Sequence, residues 1–466
     1  MYQTTQRAWL ESLRQTLNPN DLITDPDRLA SFSGDETRDL HHFPEAAAFP
    51  RSVAQVSAVL RVCSEHRIPI VPRGGGSGVS GGAAAIHGGL VLSLRHLNRI
   101  VALDARNMTV TVEAGMVTGT LQDRLAEKGL RLPPDPGSRD WCQIGGNLAE
   151  AAAGPKSVKY GAFRDYVLNL EVVLADGRVI WTGADVRKFA CGYNLTHLML
   201  GSEGTLGVIT KAVFRLVPAA PESVLLRMGF TTLEAATDMI CGVFTSGLTP
   251  SEVEIVDRDA IALAQPLCDA PADPDLAAYL WIGFDGREAD ILMADAERAA
   301  DLAESIGCAD LLFASDPDQV RRLWTYRHRI GPAVIETTPF RDVDLSFPRA
   351  ALADVVHMVK EVGRRYGFRT AIFGHAGDGN LHVNVLRDAL DEAAWQGPVR
   401  EGIADIYRRV CAMGGTLSGE HGVGCTLTPY LEEALGSTRL ALMAGIKKVF
   451  DPQGILNPGK IVETPI

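Results

Sequence analysis

The chain has 466 residues, of which 46% are hydrophobic and 22% are charged, and its formal net charge is -12 at pH 7. This length exceeds what one hydrophobic core usually supports, so two or three globular domains are expected. The acidic balance argues against a nucleic-acid partner, and it means that an anionic substrate must be held by local cations or a metal.

The cysteines and the N-terminus favour a reducing compartment. The eight cysteines are scattered without a C-x-x-C pair, which argues against an iron–sulfur cluster or a cysteine-type zinc site. The first residues lack the apolar core of a signal peptide, and Trp9, Leu13 and Leu17 recur at helical spacing. No apolar run is long enough to span a bilayer. The sequence therefore predicts a cytoplasmic enzyme, and peripheral membrane association through an electron acceptor is left open.

Periodicity and turn residues predict the order of elements. Helices are expected at 50–62 and 117–130, strands at 88–94, 108–115 and 207–218, and a hairpin at 168–183 with its turn at Asp176-Gly177. The segment AAPES after Pro218 indicates a domain boundary. Beyond it, strand-like runs alternate with helical runs at 290–307 and 349–366, which predicts a second α/β or α+β domain. The tail FDPQGILNPGKI is turn-rich and does not look like the end of that domain.

The stretch PRGGGSGVSGG (72–82) contains six glycines in eleven residues. Its literal G-x-G-x-x-G at 76–81 is not a Rossmann motif, because Gly88-Gly89 breaks the helix that should follow. A structural turn needs fewer glycines, so we interpret the stretch as a nest of backbone N–H groups for a phosphate or pyrophosphate. Similar bare backbone occurs in PPDPGS (133–138), IGGNLAEAAAG (144–154) and GSEGTLGVIT (201–210). Together these segments indicate one long ligand.

Two segments of the second half carry candidate metal ligands. In FGHAGDGNLHVN (373–384), a turn between two short strands brings His375 close to His382. A lone histidine is usually a core or surface residue, but two histidines across a hairpin favour a functional pair. In TLSGEHGVG (416–424), Glu420 and His421 lie between glycines. Two imidazoles and one carboxylate form the ligand set of an open zinc site, and manganese is also compatible.

The glycine-rich segments, with LEVVLADG and GYNLTHLMLGSEGTLGVIT, resemble the FAD domain of the vanillyl-alcohol-oxidase-like flavoproteins. With GHAGDGNLHVNV, SGEHGVG and NPGKI, the chain resembles the FAD-dependent D-2-hydroxyacid dehydrogenases: D-lactate dehydrogenase, the flavoprotein component of glycolate oxidase, and D-2-hydroxyglutarate dehydrogenase. The resemblance covers roughly residues 35–462. It implies an α+β fold, with a two-subdomain FAD-binding domain and an α+β substrate (cap) domain that contains an antiparallel sheet. The implied limits are an N-terminal helical segment at 1–34, the FAD domain at 35–218, the cap domain at 219–425, and a C-terminal segment at 426–466 packing back towards the FAD domain.

The resemblance also implies noncovalent FAD, because relatives with covalent flavin often carry a histidine in the place of Ser77. The FAD contacts that it implies come from the glycine-rich segments and their neighbours: Pro72, Arg73, Gly74, Gly75, Gly76, Ser77, Gly78, Pro134, Asp135, Gly137, Ser138, Gly145, Gly146, Asn147, Gly154, Tyr160, Glu203, Gly204, Gly207, Ile209 and Asn457.

For the chemistry, the resemblance assigns His375, His382 and Glu420 as ligands of Zn²⁺, with Mn²⁺ as the alternative ion, and His421 as the base. The metal would lower the pKa of the substrate hydroxyl, His421 would remove its proton, and the hydride would pass to FAD. Arg327, three residues after Trp324, is expected to bind the substrate carboxylate; the alternative is a solvated surface arginine. Asn384 shares a strand face with His382 and is expected to contact the substrate.

One departure bears on the substrate. The hydroxyglutarate branch usually carries a lysine where this chain has Asp342, which favours a monocarboxylate such as D-lactate or glycolate. A one-residue shift of register would instead bring Arg341 to that place.

Several alternatives stay open. They are a D-2-hydroxyglutarate dehydrogenase, another flavoprotein oxidase of this fold, a zinc hydrolase and a noncatalytic flavin-binding subunit. The glycine-rich half disfavours the hydrolase, and the histidine cluster disfavours the noncatalytic role. The electron acceptor (quinone, cytochrome, electron-transfer flavoprotein or partner subunit) and the oligomeric state, a homodimer included, are not decided by the sequence.

Overall fold

The structure is a computed structural model that describes residues 8–37, 40–267, 273 and 275–462. Its strands are β1 (Leu22–Ile23), β2 (Ala46–Ala48), β3 (Ile70–Arg73), β4 (Leu90–Ser93), β5 (Ile100–Asp104), β6 (Thr109–Glu113), β7 (Leu130–Arg131), β8 (Val167–Val173), β9 (Val179–Trp181), β10 (Val208–Arg215), β11 (Val217–Pro218), β12 (Glu222–Phe230), β13 (Glu252–Asp257), β14 (Ala278–Gly286), β15 (Asp310–Ala314), β16 (Phe340–Ser346), β17 (Arg369–Gly374) and β18 (Asn380–Leu386).

The helices are α1 (Ala8–Thr16), α2 (Pro26–Leu29), α3 (Val53–His66), α4 (Thr118–Ala126), α5 (Ile144–Glu150), α6 (Ser157–Tyr160), α7 (Leu195–Met199), α8 (Leu233–Thr245), α9 (Arg258–Ala264), α10 (Ala289–Ile306), α11 (Pro317–Thr337), α12 (Leu352–Tyr366), α13 (Glu392–Gln396), α14 (Pro398–Ala412), α15 (Leu431–Leu435) and α16 (Ser437–Phe450). Short 3₁₀ helices lie at Pro19–Asp21, Ala30–Phe32, Phe163–Asp165, Gln265–Leu267, Arg349–Ala351, Ala376–Asp378 and Thr428–Tyr430.

The chain forms two compact units. The first comprises residues 1–153, 162–219 and 420–466, and the second comprises residues 154–161 and 220–419. In the first unit, a four-stranded sheet has the order β1-β2-β4-β3, with β2 and β3 parallel to β4 and β1 antiparallel to β2. An antiparallel sheet of the same unit has the order β5-β6-β10-β8-β9, and β7 pairs with β11. The predicted strand at 207–218 is therefore two strands: β10 lies in the antiparallel sheet, and β11 pairs with β7.

Local sequence explains where helix α3 of the first unit begins. Ser52 caps α3 by accepting a hydrogen bond from the Gln55 N–H at 3.2 Å, as the predicted helix at 50–62 requires. The next strand, β3, lies at the edge of the four-stranded sheet, and the glycine-rich stretch continues from its end. A hydrophobic cluster covers that sheet: Ile23, Leu29, Phe32, Ala47, Phe49, Val71, Ala85 and Val91.

The second unit is built on one antiparallel sheet with the order β15-β12-β14-β13-β17-β18-β16. One face is covered by α9 and α11, where Trp281 of β14 stacks on Tyr326 of α11 with ring centroids 6.2 Å apart. Since side chains alternate along a strand, Leu386, which belongs to this cluster, shares its face with Asn384 and His382 of β18. The candidate site residues of β18 therefore point to the face that also carries α11.

The limits of the units differ from the expected ones. Residues 154–161 group with the second unit, where Lys156 donates to Glu252 Oε2 at 2.7 Å. Residues 420–425 group with the first unit, where Cys425 N–H donates to the Ser80 carbonyl at 3.1 Å. The segment 8–34 is not separate from the FAD domain, because β1 pairs with β2. These exchanges between distant segments leave no local mark in the sequence.

No described helix combines the length and the apolar character needed to cross a bilayer. The cysteines of the described residues are free thiols, and Cys268 lies outside the described residues.

Candidate functional site

The glycine-rich loop of the first unit presents unused backbone donors. It follows β3, and Gly76 has a φ of +78°, a conformation that favours glycine. A Cβ on Gly74 would lie 3.3 Å from the Cα of Gly146 at the start of α5, so two bare backbones meet here. The N–H groups of Gly75 to Gly78 have no acceptor among the described residues. Half-buried donors without acceptors fit the predicted pyrophosphate nest.

Packing explains other glycines of the predicted FAD set. A Cβ on Gly145 would lie 2.9 Å from the Ala114 Cβ, one on Gly204 would lie 2.9 Å from Pro72 Cγ, and one on Gly207 would overlap Val172 Cγ1. These positions exclude a side chain because protein atoms already occupy the space. The glycine-rich pattern thus combines ligand-facing positions with packing positions, which the sequence cannot separate.

Two polar residues of the predicted FAD set hold the first unit together. Glu203, which has a φ of +50°, accepts the N–H groups of Val423 and Gly424 at 2.7 Å each. Asn457 donates to the Glu203 carbonyl at 2.7 Å and to the Gly82 carbonyl at 2.9 Å. These contacts join the glycine-rich loop, the turn at Glu203 and the C-terminal segment. The side chains of Glu203 and Asn457 therefore stabilise the structure around the loop.

Glu150 lies beside Glu203 and was not predicted as a site residue. A Cβ on Gly82 would lie 2.8 Å from one Glu150 oxygen and 3.8 Å from a Glu203 oxygen, so both carboxyl groups face this glycine. Burial, with the nearby charge of Glu203, raises the pKa of Glu150 well above its ordinary value. Burial also raises the pKa of Glu203 to about 7, although two backbone N–H groups oppose the shift. The pair is therefore expected to retain a proton near neutral pH.

The remaining predicted FAD residues lie on several segments. Pro134, Asp135, Gly137 and Ser138 lie in the loop between β7 and α5, and Ile209 lies in β10. Arg73 donates to the Gly34 carbonyl, and Asn147 donates to Thr118 Oγ1 at 2.6 Å. Gly154 and Tyr160 belong to the second unit, where the Tyr160 hydroxyl donates to Asp285 Oδ1 at 2.6 Å.

In the second unit, the structure brings the two predicted histidine ligands together. His375 follows β17 and His382 lies in β18, and both are buried. Their Nε2 atoms are 3.5 Å apart, and the rings are nearly perpendicular at 89°. Two nitrogen ligands about 2.0 Å from a tetrahedral zinc ion lie about 3.3 Å from each other. The histidine pair therefore fits two adjacent corners of a zinc site.

A fully buried carboxylate connects His375 to Arg327. Glu254 Oε1 lies 2.6 Å from His375 Nδ1, and Oε2 accepts from Arg327 Nε at 2.9 Å and Nη2 at 2.8 Å. Burial alone would raise the pKa of Glu254, but its interactions with His375 and Arg327 hold it below its ordinary value. An ionised carboxylate only accepts, so Nδ1 of His375 carries the proton and Nε2 is left as a ligand atom. Sequence reasoning missed Glu254, since nothing marks an acidic residue in a strand as buried.

A second carboxylate orders the chain just before Glu420. Asp344 of β16 accepts the Ser418 hydroxyl at 2.9 Å and the Gly419 N–H at 2.8 Å through Oδ2. Its Oδ1 accepts from Asn380 at 2.6 Å and lies 3.7 Å from His382 Nδ1. Sequence reasoning assigned no role to Asp344, although this residue contacts both Asn380 of β18 and the chain that leads to Glu420.

Asn384, which is predicted to contact the substrate, and Asp342 lie on the same sheet face as His382. Asn384 is buried, and its Nδ2 has no hydrogen-bond partner among the described residues, so an amide donor remains available. Asp342 lies opposite Asn384 in the β16–β18 register. Arg341 alternates to the other face, where it donates to the Trp395 carbonyl at 2.7 Å and lies 4.3 Å from the Trp395 ring. The alternative register that would substitute Arg341 for Asp342 is therefore wrong.

Glu420 and His421 start the last segment of the first unit. Both side chains are partly buried, and His421 Nε2 lies 4.0 Å from Glu420 Oε1. The following backbone is fixed by Glu203 through Val423 and Gly424. The residues predicted as base and third ligand thus lie on an anchored loop.

The comparisons with known proteins identify the family. Residues 44–183 match the family described as "FAD binding domain", and residues 220–461 match "FAD linked oxidases, C-terminal domain". A glycolate oxidase subunit GlcD of Bacillus subtilis is 35% identical over 92% of this chain and 91% of its own length. A D-lactate dehydrogenase of Anaerostipes hadrus is 34% identical over 90% of this chain and 89% of its own, and a D-2-hydroxyglutarate dehydrogenase of Stutzerimonas stutzeri is 32% identical over 98% and 99%.

Among solved structures, p-cresol methylhydroxylase with bound substrate superimposes with a TM-score of 0.81 at 19% identity, covering 98% of this chain and 96% of that chain. At this identity the likeness concerns the fold alone. The predicted α+β fold of the vanillyl-alcohol-oxidase type is confirmed.

Proposed function

The chain belongs to the FAD-linked oxidases, as an FAD-dependent oxidoreductase of the D-lactate, glycolate and D-2-hydroxyglutarate dehydrogenase group, and we propose that its substrate is a 2-hydroxymonocarboxylate. D-lactate and glycolate are the substrates that fit best, with the 2-oxoacid as product. The observation that carries the proposal is the buried face on which His375, His382 and the Glu254–Arg327 pair lie together. D-2-hydroxyglutarate is the alternative substrate.

The choice of a monocarboxylate rests on Asp342. This carboxyl group lies opposite Asn384 on the site face, at the position where the hydroxyglutarate branch usually carries a lysine. The neighbouring cation, Arg341, contacts Trp395 on the opposite face of the sheet. A second substrate carboxylate near Asp342 would therefore meet a carboxyl group in place of a cation, which disfavours a diacid.

The residues of this chain divide the chemistry of oxidation among them. FAD, when bound, supplies the acceptor for the hydride from the substrate carbon. Arg327, whose Nε and Nη2 are engaged by Glu254, orients its guanidinium towards the substrate carboxylate. The amide of Asn384 offers a further donor. His421, in its neutral form, takes the hydroxyl proton at a ring nitrogen.

We propose that His375, His382 and Glu420 hold a divalent metal, with Zn²⁺ preferred and Mn²⁺ compatible with the ligands. The 3.5 Å separation of the histidine nitrogens supports this assignment, as does the hydrogen bond between Glu254 and His375 Nδ1 at 2.6 Å. Glu420 directly follows Gly419, whose N–H is fixed by Asp344 at 2.8 Å. A metal in this place supplies Lewis-acid polarisation of the substrate hydroxyl.

The electron acceptor after flavin reduction is assigned only by class. A quinone, a cytochrome, an electron-transfer flavoprotein or a partner subunit each fits an enzyme without a nicotinamide motif. We place the protein in the cytoplasm, with contact to a membrane only through such an acceptor.

The substrate proposal is tested by anaerobic bleaching of the bound flavin with a panel of 2-hydroxyacids. We expect rapid bleaching by D-lactate or glycolate, slow bleaching by L-lactate, and at least tenfold weaker apparent binding of D-2-hydroxyglutarate because of Asp342. Faster reduction by D-2-hydroxyglutarate than by D-lactate and glycolate would reject the monocarboxylate assignment. A flavin that no 2-hydroxyacid reduces would reject the proposed function.

A separate prediction concerns how the flavin is attached. Ser77 has no nucleophilic ring nitrogen, so acid or heat precipitation should release all of the FAD into the supernatant. The check is flavin absorbance in the supernatant and in the washed pellet. Flavin that stays with the precipitated protein would show a covalent bond and contradict the prediction.

A further inference from the structure

Glu254 is not itself an assigned metal ligand or substrate-binding residue, but it contacts one of each. Its side chain is fully buried in β13, and each carboxylate oxygen has a different partner. Oε1 faces Nδ1 of His375, and Oε2 faces the Nε–Nη2 edge of Arg327. One carboxylate thus links a metal-ligand histidine to the carboxylate-binding arginine.

We infer that Glu254 is a positioning residue that holds the metal ligand His375 and the substrate arginine Arg327 in one shared geometry. The inference rests on the proposed function, because it gives His375 and Arg327 their roles. Its physical content is that metal affinity and substrate affinity depend on the same carboxylate.

The geometry of each partner explains the dependence. The Nδ1–H of His375 is directed at Glu254, which fixes the ring and leaves Nε2 towards His382 at 3.5 Å. The guanidinium of Arg327 donates two N–H groups to Glu254 and lies 4.9 Å from the Phe373 ring. These contacts leave the side chain little rotational freedom. Its Nη1 has no hydrogen-bond partner among the described residues and can bind a ligand. An amide in place of the carboxylate satisfies at most one of the two partners well, because its NH₂ group meets a donor.

The strand provides a matched control. Glu252 lies two residues before Glu254 on β13, is also buried, and pairs with Lys156 at 2.7 Å rather than with His375 or Arg327. Glu252→Gln therefore removes a buried charge from the same strand without touching the inferred link.

The experiment uses the flavin-loaded full chain. Zn²⁺ affinity is measured by competition with a chromogenic chelator, and apparent substrate affinity by anaerobic single-turnover flavin reduction at saturating Zn²⁺. For Glu254→Gln we expect Zn²⁺ affinity to fall about 10–100-fold, and the apparent substrate dissociation constant to rise severalfold even with the metal saturated. For Glu252→Gln we expect both values within about twofold of wild type.

Each outcome decides the inference. A Zn²⁺ affinity unchanged in Glu254→Gln overturns it, as does a substrate affinity unchanged at metal saturation, because the carboxylate is then not shared. Equal losses in Glu252→Gln also overturn it, since the strand rather than the link is then responsible. If Glu254→Gln does not fold, Glu254→Asp keeps the charge but shortens the side chain; wild-type values for both affinities in that variant overturn the inference. A wild-type protein that neither binds Zn²⁺ nor is reduced by any 2-hydroxyacid fails at the proposed function instead.

Discussion

His421→Ala is expected to slow the reduction of bound flavin by roughly 10²–10⁴-fold, the usual contribution of a general base. In the proposed mechanism, a neutral imidazole accepts the substrate hydroxyl proton before or while the hydride leaves. Substrate affinity should fall much less, because the variant retains Arg327 and the proposed metal ligands. The rate of the wild type should fall as pH is lowered through the pKa of the base, since imidazolium cannot accept a proton, and this acid limb should be lost in the variant.

The measurement is stopped-flow reduction of the flavin across pH, because reoxidation can limit steady-state turnover. His357→Ala is a suitable control, since His357 is exposed and pairs with Glu234 at 2.8 Å. It should reduce its flavin at the wild-type rate. A His421→Ala protein that does the same, with its acid limb intact, would show that another group is the base.

Replacing either buried histidine, by His375→Ala or His382→Ala, should remove the bound metal and slow flavin reduction by about 10³-fold or more. Lewis-acid stabilisation contributes several kcal/mol, and each 1.4 kcal/mol corresponds to about tenfold in rate. The flavin spectrum should be unchanged, because the glycine-rich loop and both histidines belong to different units. Chelator treatment of the wild type should reproduce the loss.

Metal content by elemental analysis and single-turnover flavin reduction check this prediction. The exposed His357 again provides the control, in which both metal content and rate should be retained. Re-addition of Zn²⁺ or Mn²⁺ should restore the chelated wild type but not the variants. A variant with full metal content and a normal rate would refute the ligand assignment.

Local patterns of the sequence predicted several of the helices and strands. Ser52 before an apolar period of 3.6 marked α3, and Asp176-Gly177 between two apolar runs marked the β8–β9 hairpin. These signals are local, since a cap or a tight turn depends on residues within a few positions. The short connection in FGHAGDGN likewise forces His375 and His382 together, so the histidine pair was readable without the structure.

Contacts between distant segments were not readable in this way. The exchange of residues 154–161 into the second unit depends on Lys156 reaching Glu252, 96 positions away. The register of β16 on β18, which puts Asp342 rather than Arg341 opposite Asn384, depends on which face of the sheet is buried.

The sequence by itself determined the family, the flavin domain and the histidine pair, because these depend on short motifs whose spacing constrains the backbone. Only the tertiary structure decided which carboxylates hold the histidine pair and the C-terminal segment in place. Glu254 acts on His375 across 121 positions and Glu203 on Gly424 across 221. An acidic residue in a strand or a turn has the same local sequence whether it is exposed or buried. Its pKa and its partners are set by burial and by charges that arrive from elsewhere in the chain.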